Sequence, residues 1–222
     1  MKPAGVFVTG TGTGVGKTVV ACALVRGLRA RGLDVGVMKP VETGVGAEGP
    51  LDARALRAAA GSPDPLAEVC PEALSLAAAP SVAAAREGRS LDVAGLVEGF
   101  RALAARHALM VVEGAGGLRV PVYGRCDMRE LAAHLALPVL LVARAALGTI
   151  NHTRLSLDSL AARGLPLAGV VISHADGPLS LADQENLGVL RHELGARLVG
   201  EIPPLRPGAI PAGEALDLDA IL

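Results

Sequence analysis

The chain has 222 residues and a net charge of −1; its hydrophobic fraction is 51%, with aromatics only 1%. That length suits a single α/β domain over residues 1–222, and the near-neutral charge gives no electrostatic basis for a nucleic-acid partner. No apolar run approaches the ~20 residues that span a bilayer. Cys22, Cys70 and Cys126 are too few and too scattered for a disulfide framework or a zinc site, and nothing after Lys2 reads as a signal-peptide core. A cytoplasmic protein with no membrane partner is expected.

Gly5 to Thr9 (G-V-F-V-T) reads as a buried strand, and Thr18 to Ala30 as a helix with Val20, Leu24 and Leu28 on one face. Val35 to Met38 is a second strand, closed by Lys39-Pro40. Residues 40–50 form a Gly-rich loop, followed by a helix from Leu51 to Ala60. Pro63, Pro65, Pro71 and Pro80 break the next stretch into turns, before helices at Ser81 to Arg86 and Asp92 to Arg106. Leu109 to Val112 is a third strand, Pro138 to Ala143 a fourth and Leu167 to Ile172 a fifth, with a helix at Asn151 to Ala162. A helix from Ser180 to Leu194, a strand from Arg197 to Ile202 and a Pro-rich tail complete the chain. Continuous apolar strands alternating with helices predict a mainly parallel central sheet flanked by helices on both faces. In such sheets ligands bind beyond the carboxyl ends of the strands, and the polar clusters follow strand ends.

Gly10-Thr11-Gly12-Thr13-Gly14-Val15-Gly16-Lys17-Thr18 joins the first strand to the first helix, the context a phosphate loop requires. Its glycines let backbone N–H groups turn toward phosphate oxygens, and the helix N-terminus adds its positive end. Lys17 would neutralise the β- and γ-phosphates and the Thr18 hydroxyl would ligate Mg²⁺. The strict pattern needs glycine at Thr11; here Gly10 stands one residue further out, so the loop is a variant. A dinucleotide loop would not need the Lys17-Thr18 pair.

Only three of the 21 basic residues are lysine: Lys2, Lys17 and Lys39. Lysine is a compact point charge suited to a phosphate cradle. Lys39 opens K-P-V-E-T-G on the same sheet edge as Lys17, either to stabilise charge on a transferring phosphoryl group or as a solvated strand-end lysine. Glu113, read at the end of the third strand, fits a metal ligand or a strand-end cap. Asp52 fits a second ligand or a helix N-terminal residue favoured by the dipole. His107, His134, His174 and His192 read as surface or helix positions, and Asn151 as an N-cap. No serine or cysteine stands in a nucleophile motif.

Together, V-T-G-T-G-T-G-V-G-K-T, K-P-V-E-T-G, V-E-G-A-G-G, L-G-T-I-N-H-T and G-E-I-P resemble the dethiobiotin synthetase family over nearly the whole chain. The resemblance implies a P-loop NTPase fold and Mg²⁺- and ATP-dependent closure of a ureido ring on 7,8-diaminononanoate with CO₂. It implies that Gly14, Val15, Gly16, Lys17 and Thr18 hold the phosphates, with Ser173 and Pro203 completing the nucleotide site. Thr18, Asp52 and Glu113 would hold the metal. Thr13, Lys39 and Thr43 would meet the diamine carbamate and the phosphate in transfer, with Lys17, Lys39 and Thr13 as the catalytic set. A homodimer is implied, in which Gly148, Thr149, Ile150 and Asn151 reach the substrate carboxylate across the interface. Some relatives carry an acidic residue at Gly14, and some an adenine-reading Asn at Ser173. Serine cannot present an amide's paired donor and acceptor, so CTP or another triphosphate is expected to substitute for ATP. The rival readings are a ParA/MinD-like switch ATPase and a cobyrinate-type synthetase served by a separate glutaminase chain. Gly12 stands where the switch proteins carry an extra lysine, and this chain has no room for a glutaminase.

Overall fold

The computed structural model describes residues 5–175, 177, 179–205 and 213–222. In chain order the elements are β1 (Gly5–Gly10), α1 (Lys17–Ala30), β2 (Val35–Met38), β3 (Val41–Thr43), α2 (Leu51–Ala60), α3 (Leu66–Val69), β4 (Glu72–Leu74), α4 (Pro80–Arg86) and α5 (Val93–Ala104). There follow β5 (Leu109–Gly117), β6 (Pro121–Tyr123), β7 (Cys126–Asp127), α6 (Met128–Leu135), β8 (Val139–Arg144), α7 (Thr149–Arg163), β9 (Leu167–Ser173), α8 (Leu181–Leu194), β10 (Leu198–Ile202) and α9 (Leu218–Ile221). Six strands form one sheet in the order β10-β9-β8-β1-β5-β2, and every pairing in it is parallel.

Both faces of this sheet are covered, as its near-continuous apolar strands require. Alternation along β1 sends Val6 and Val8 into a core shared with Leu24 and Leu28 of α1 and Leu56 of α2. Phe7 turns to the opposite face, against Phe100, Met110 and Leu131. A third cluster joins Leu141 and Ile172 to Leu187, Leu190 and Leu194 of α8. With almost no aromatics, small residues let layers approach closely. A Cβ on Gly27 of α1 would already stand 3.0 Å from Leu218 Cδ1 of α9.

From β1 the chain fills one side of the sheet with β2 and β5 and the other with β8, β9 and β10. The carboxyl end of β1 is therefore a topological switch point, where such sheets form their binding crevice. Register then sets the neighbours. Val8 of β1 pairs with Glu113 and Met38 of β2 with Val112, so Lys39 emerges beside Glu113.

Several local expectations change. The third strand does not stop at Val112 but continues through Gly117, so Glu113 lies inside β5 rather than at its tip. The 40–50 loop contains β3, paired in parallel with β4. A helix unread in the sequence, α6, is capped by Asp127, whose side chain accepts from Glu130 N at 2.9 Å. Asn151 is not the cap of α7: Gly148 takes that position in the left-handed region at φ 89, and Asn151 sits exposed in the first turn.

His107, expected at a surface or helix position, is partly buried and lies between two carboxylates. Its Nε2 lies 2.8 Å from Asp64 Oδ2 and its Nδ1 3.1 Å from Asp34. Burial would raise the Asp64 carboxyl pKa, but the Ser62 hydroxyl, His107 and Arg106 outweigh it and hold the group below its usual value. A depressed carboxyl contributes stability that is full above its unfolded pKa, near 4, and is lost as pH falls through the folded value. Asp64→Asn is therefore expected to lower the urea midpoint at pH 7, with the gap to the parent shrinking as pH falls below about 4. Urea titrations at both pH values check this; a gap independent of pH would contradict it.

Candidate active site

Residues 10–18 leave the end of β1 and wrap over the start of α1. Gly16 caps the helix at φ 91 and Gly14 turns at φ 73, conformations that side-chain-bearing residues adopt at a cost. Gly16 has a second constraint: a Cβ there would stand 2.3 Å from Ser173 Oγ at the end of β9. The loop is thus pressed onto the sheet edge. Val15 is buried beneath it, while Thr13 and Gly14 face outward. Lys17 Nζ donates to Gly12 O at 2.9 Å, folding the side chain back under the loop. Burial pushes its pKa down to about 8, against the pull of Glu113 and with repulsion from Lys39. Phosphate oxygens beside it would restore the charged form.

Glu113 is fully buried and anchors the site. Its Oε1 accepts from Lys39 Nζ at 2.6 Å and from Thr18 Oγ1 at 2.9 Å. Lys39 Nζ also donates to Asp52 Oδ2 at 3.0 Å, so one ammonium bridges two carboxylates. Burial alone would lower the Lys39 pKa; Glu113 and Asp52 more than reverse this, and the net shift is upward. A lysine so held is charged throughout the physiological range.

Thr13, Gly14, Gly16, Lys17, Thr18, Lys39, Thr43, Asp52 and Glu113 all line one cavity of about 350 Å³. Glu42 lines it too and was given no role from sequence, although it stands between Lys39 and Thr43 in the motif already singled out. A second cavity, about 400 Å³, runs from Thr11 to Thr13 past Leu118 and Val120 to His152 and Leu155 of α7. Gly148 to Asn151 do not line the first cavity within this chain. Ser173 is buried against Gly16, and Pro203 is exposed just after β10.

The donors at the first cavity suit a hard divalent cation. Of the three carboxylates that line it, Glu42 has both oxygens taken by backbone N–H groups, which leaves Asp52 and Glu113 beside the Thr18 hydroxyl, and Glu113 Oε2 is buried with no hydrogen-bond partner among the described residues. No cluster of three or more His, Cys, Asp or Glu forms among the described residues, so protein ligands alone would not cage a metal. That is the pattern for Mg²⁺, which binds through one or two carboxylates plus substrate phosphates.

A parallel sheet whose first strand feeds a glycine-rich loop and Lys-Thr, beside a buried strand carboxylate, defines the P-loop nucleoside-triphosphatase class. The family described as AAA domain matches residues 4–209. An ATP-dependent dethiobiotin synthetase BioD of Anaeromyxobacter dehalogenans is 56% identical over 174 residues, 78% of each chain. One from Aromatoleum aromaticum is 41% identical over 221 residues, 98% of this chain and 97% of the relative. The chain belongs to the ATP-dependent dethiobiotin synthetase family. Among solved structures, the MinC:MinD cell division complex of Aquifex aeolicus superposes with a TM-score of 0.60 over 98% of this chain and 94% of that one. At 14% identity this likeness extends to the fold alone. Among the described residues, no helix is long and apolar enough to cross a membrane.

The two loop glycines separate strain from contact. Gly14 has open space around a Cβ, whereas Gly16 has Ser173, and both have positive φ. Gly14→Ala is expected to carry a backbone cost of about 1–2 kcal/mol. Gly16→Ala is expected to lose nucleotide affinity further, because the loop must lift from Ser173. Calorimetric titration with nucleotide compares the two; equal losses would contradict the contact argument.

Proposed function

We propose that this protein closes a ureido ring on 7,8-diaminononanoate using CO₂ and a nucleoside triphosphate, yielding dethiobiotin, ADP and phosphate. The observation that carries this reading is the convergence of Lys17, Thr18, Lys39, Asp52 and Glu113 on one cavity, in a chain similar to dethiobiotin synthetases.

In the reaction one amine takes up CO₂ as a carbamate, losing a proton. A carbamate oxygen attacks the γ-phosphorus and ADP departs. The second amine then attacks the carbonyl carbon of the mixed anhydride, losing a proton as phosphate is expelled and the ring closes. No protein nucleophile is needed; positioning and charge stabilisation suffice. Thr18, Asp52 and Glu113 would hold a Mg²⁺, which when bound offsets charge on the phosphate oxygens. Backbone N–H groups of Gly14, Val15 and Gly16 cradle the phosphates, and Lys17 offsets their charge. Lys39, kept protonated by its carboxylates, faces the phosphoryl group in transfer, and Thr13 and Thr43 orient the carbamate. Pro203 and Ser173 lie toward the nucleobase. A single hydroxyl turned against Gly16 supports loose base selection.

The working unit in this reading is a cytoplasmic homodimer. The first turn of α7, Gly148 to Asn151, belongs to the site of the partner subunit, where helix N–H groups receive the substrate carboxylate. Neither the switch-ATPase nor the amidotransferase-type reading is favoured by the relatives.

The test is phosphate release from Mg·ATP with and without diaminononanoate and bicarbonate, with product mass followed. Diamine-dependent release and a mass gain of one carbonyl are expected; diamine-independent release would overturn the assignment. Lys17→Ala is expected to cut kcat by about 100- to 1,000-fold with its unfolding midpoint kept. Turnover with CTP or GTP of the same order as with ATP is expected from Ser173, and a strong ATP preference would contradict that.

A further inference from the structure

Helix α2 starts without a cap of its own. Its N-cap residue is Pro50, which has no side-chain acceptor, and the loop before it carries Gly44, Gly46 and Gly49. The first-turn N–H groups are nonetheless satisfied from a distance. Glu42, on β3, accepts from Asp52 N through Oε1 and from Ala53 N through Oε2, both at 3.0 Å. Those are the second and third residues of the helix, which a capping side chain would ordinarily serve. Glu42 is 7% exposed, so its side chain is largely enclosed where it meets the helix.

The consequence reaches the site through one residue. Asp52 donates its backbone N–H to Glu42 and places its own carboxylate on Lys39 Nζ. Lys39 and Glu42 leave the same strand connection, three residues apart, so Glu42 fixes the first turn of α2 relative to the lysine that Asp52 must meet. Core packing through Ala53 and Leu56 seats the body of α2, but without Glu42 its first turn, where Asp52 stands, would be joined to β3 only by the glycine-rich loop.

We propose that Glu42 is a positioning residue: it clamps the start of α2 to β3 and so sets the Asp52 carboxylate beside Lys39 and Glu113. The inference rests on the reading of Asp52 and Glu113 as ligands of the metal–nucleotide complex. Glu42 borders the cavity, but both of its oxygens are engaged by backbone N–H groups of α2, so its role is to hold the helix and not to ligate the metal. Its effect is that of a partner holding a ligand in orientation, for which losses of 10- to 100-fold in metal affinity are usual.

The experiment measures Mn²⁺ binding by electron paramagnetic resonance in the full-length protein, with a non-hydrolysable ATP analogue present. Glu42→Gln, which keeps one acceptor oxygen, and Glu42→Ala, which keeps none, are expected to weaken Mn²⁺ by about threefold and about tenfold or more. Pro50→Asp is then added to Glu42→Ala, giving α2 a cap of its own with no link to β3. Thermal stability is expected to recover in this double variant while Mn²⁺ affinity stays low. Recovery of both would reduce Glu42 to a helix cap and overturn the proposal. Should Glu42→Ala not fold, Glu42→Gln decides, and parental Mn²⁺ affinity in it would overturn the proposal. Asp52→Asn keeps the two failures apart. Parental affinity there defeats the metal reading itself, whereas loss there with none in Glu42→Gln defeats only the positioning role.

Discussion

A carboxylate with no solvent exposure, in the middle of a parallel strand, is the constraint around which the functional end of this molecule is arranged. Glu113 cannot remain ionised there without compensation, since removing a charge from water costs several kcal/mol even after relaxation. Register supplies the compensation. Pairing of Met38 with Val112 brings Lys39 alongside, and pairing of Val8 with Glu113 brings the first turn of α1, with Thr18, over the same oxygen. Lys39 then carries more positive charge than Glu113 alone requires, and Asp52 shares it. Each further residue of the cluster is explained by the one before it, ending with Glu42 on the backbone of α2.

The same arrangement divides the labour between the two internal lysines. Lys39 is locked between carboxylates and stays charged. Lys17 is held by a single carbonyl and has its pKa pushed down to about 8 by burial, so it gains most from an arriving polyanion. A fixed charge beside a ligand-responsive one suits chemistry in which phosphate arrives, transfers and leaves. The glycines of the loop serve this geometry from below. Gly16 lets Ser173 come within reach of the loop backbone, and Val15 plugs the space under Gly10.

Much of this was legible in the sequence, because the signals were local. The strand-loop-helix at 5–30 announces itself through a buried strand, glycines and Lys17-Thr18 in one uninterrupted run. The parallel sheet follows from apolar strands spaced by helices. The scarcity of lysine marks Lys39 in the sequence itself. The misses have physical reasons too. Glu113 looked like a strand end because glycines follow it, yet β5 continues through them by pairing Gly10 with Gly117. Helix α6 carries its own start signal, Asp127 three residues before Glu130, but lies so close to β8 that its apolar residues merged with the strand's. His107 and Glu42 went unread because their partners lie elsewhere in the sequence. Asp64 and Asp34 are 43 and 73 residues from the histidine, and a carboxylate capping a helix from another strand leaves no spacing to recognise.

The measurement that tests this account most directly is a double-mutant cycle on Lys39→Met and Glu113→Leu, read by urea denaturation at pH 7. Lys39→Met leaves the buried Glu113 carboxylate without its ion partner and is predicted to cost about 3–5 kcal/mol, whereas Glu113→Leu leaves Lys39 still paired with the half-exposed Asp52 and is predicted to cost less. The double variant removes both charges and is predicted to cost no more than Lys39→Met alone, so that the two losses fall well short of adding. Losses that simply add, to within about 0.5 kcal/mol, would mean that the two residues do not depend on each other. The buried pair would then not be what the site is built on.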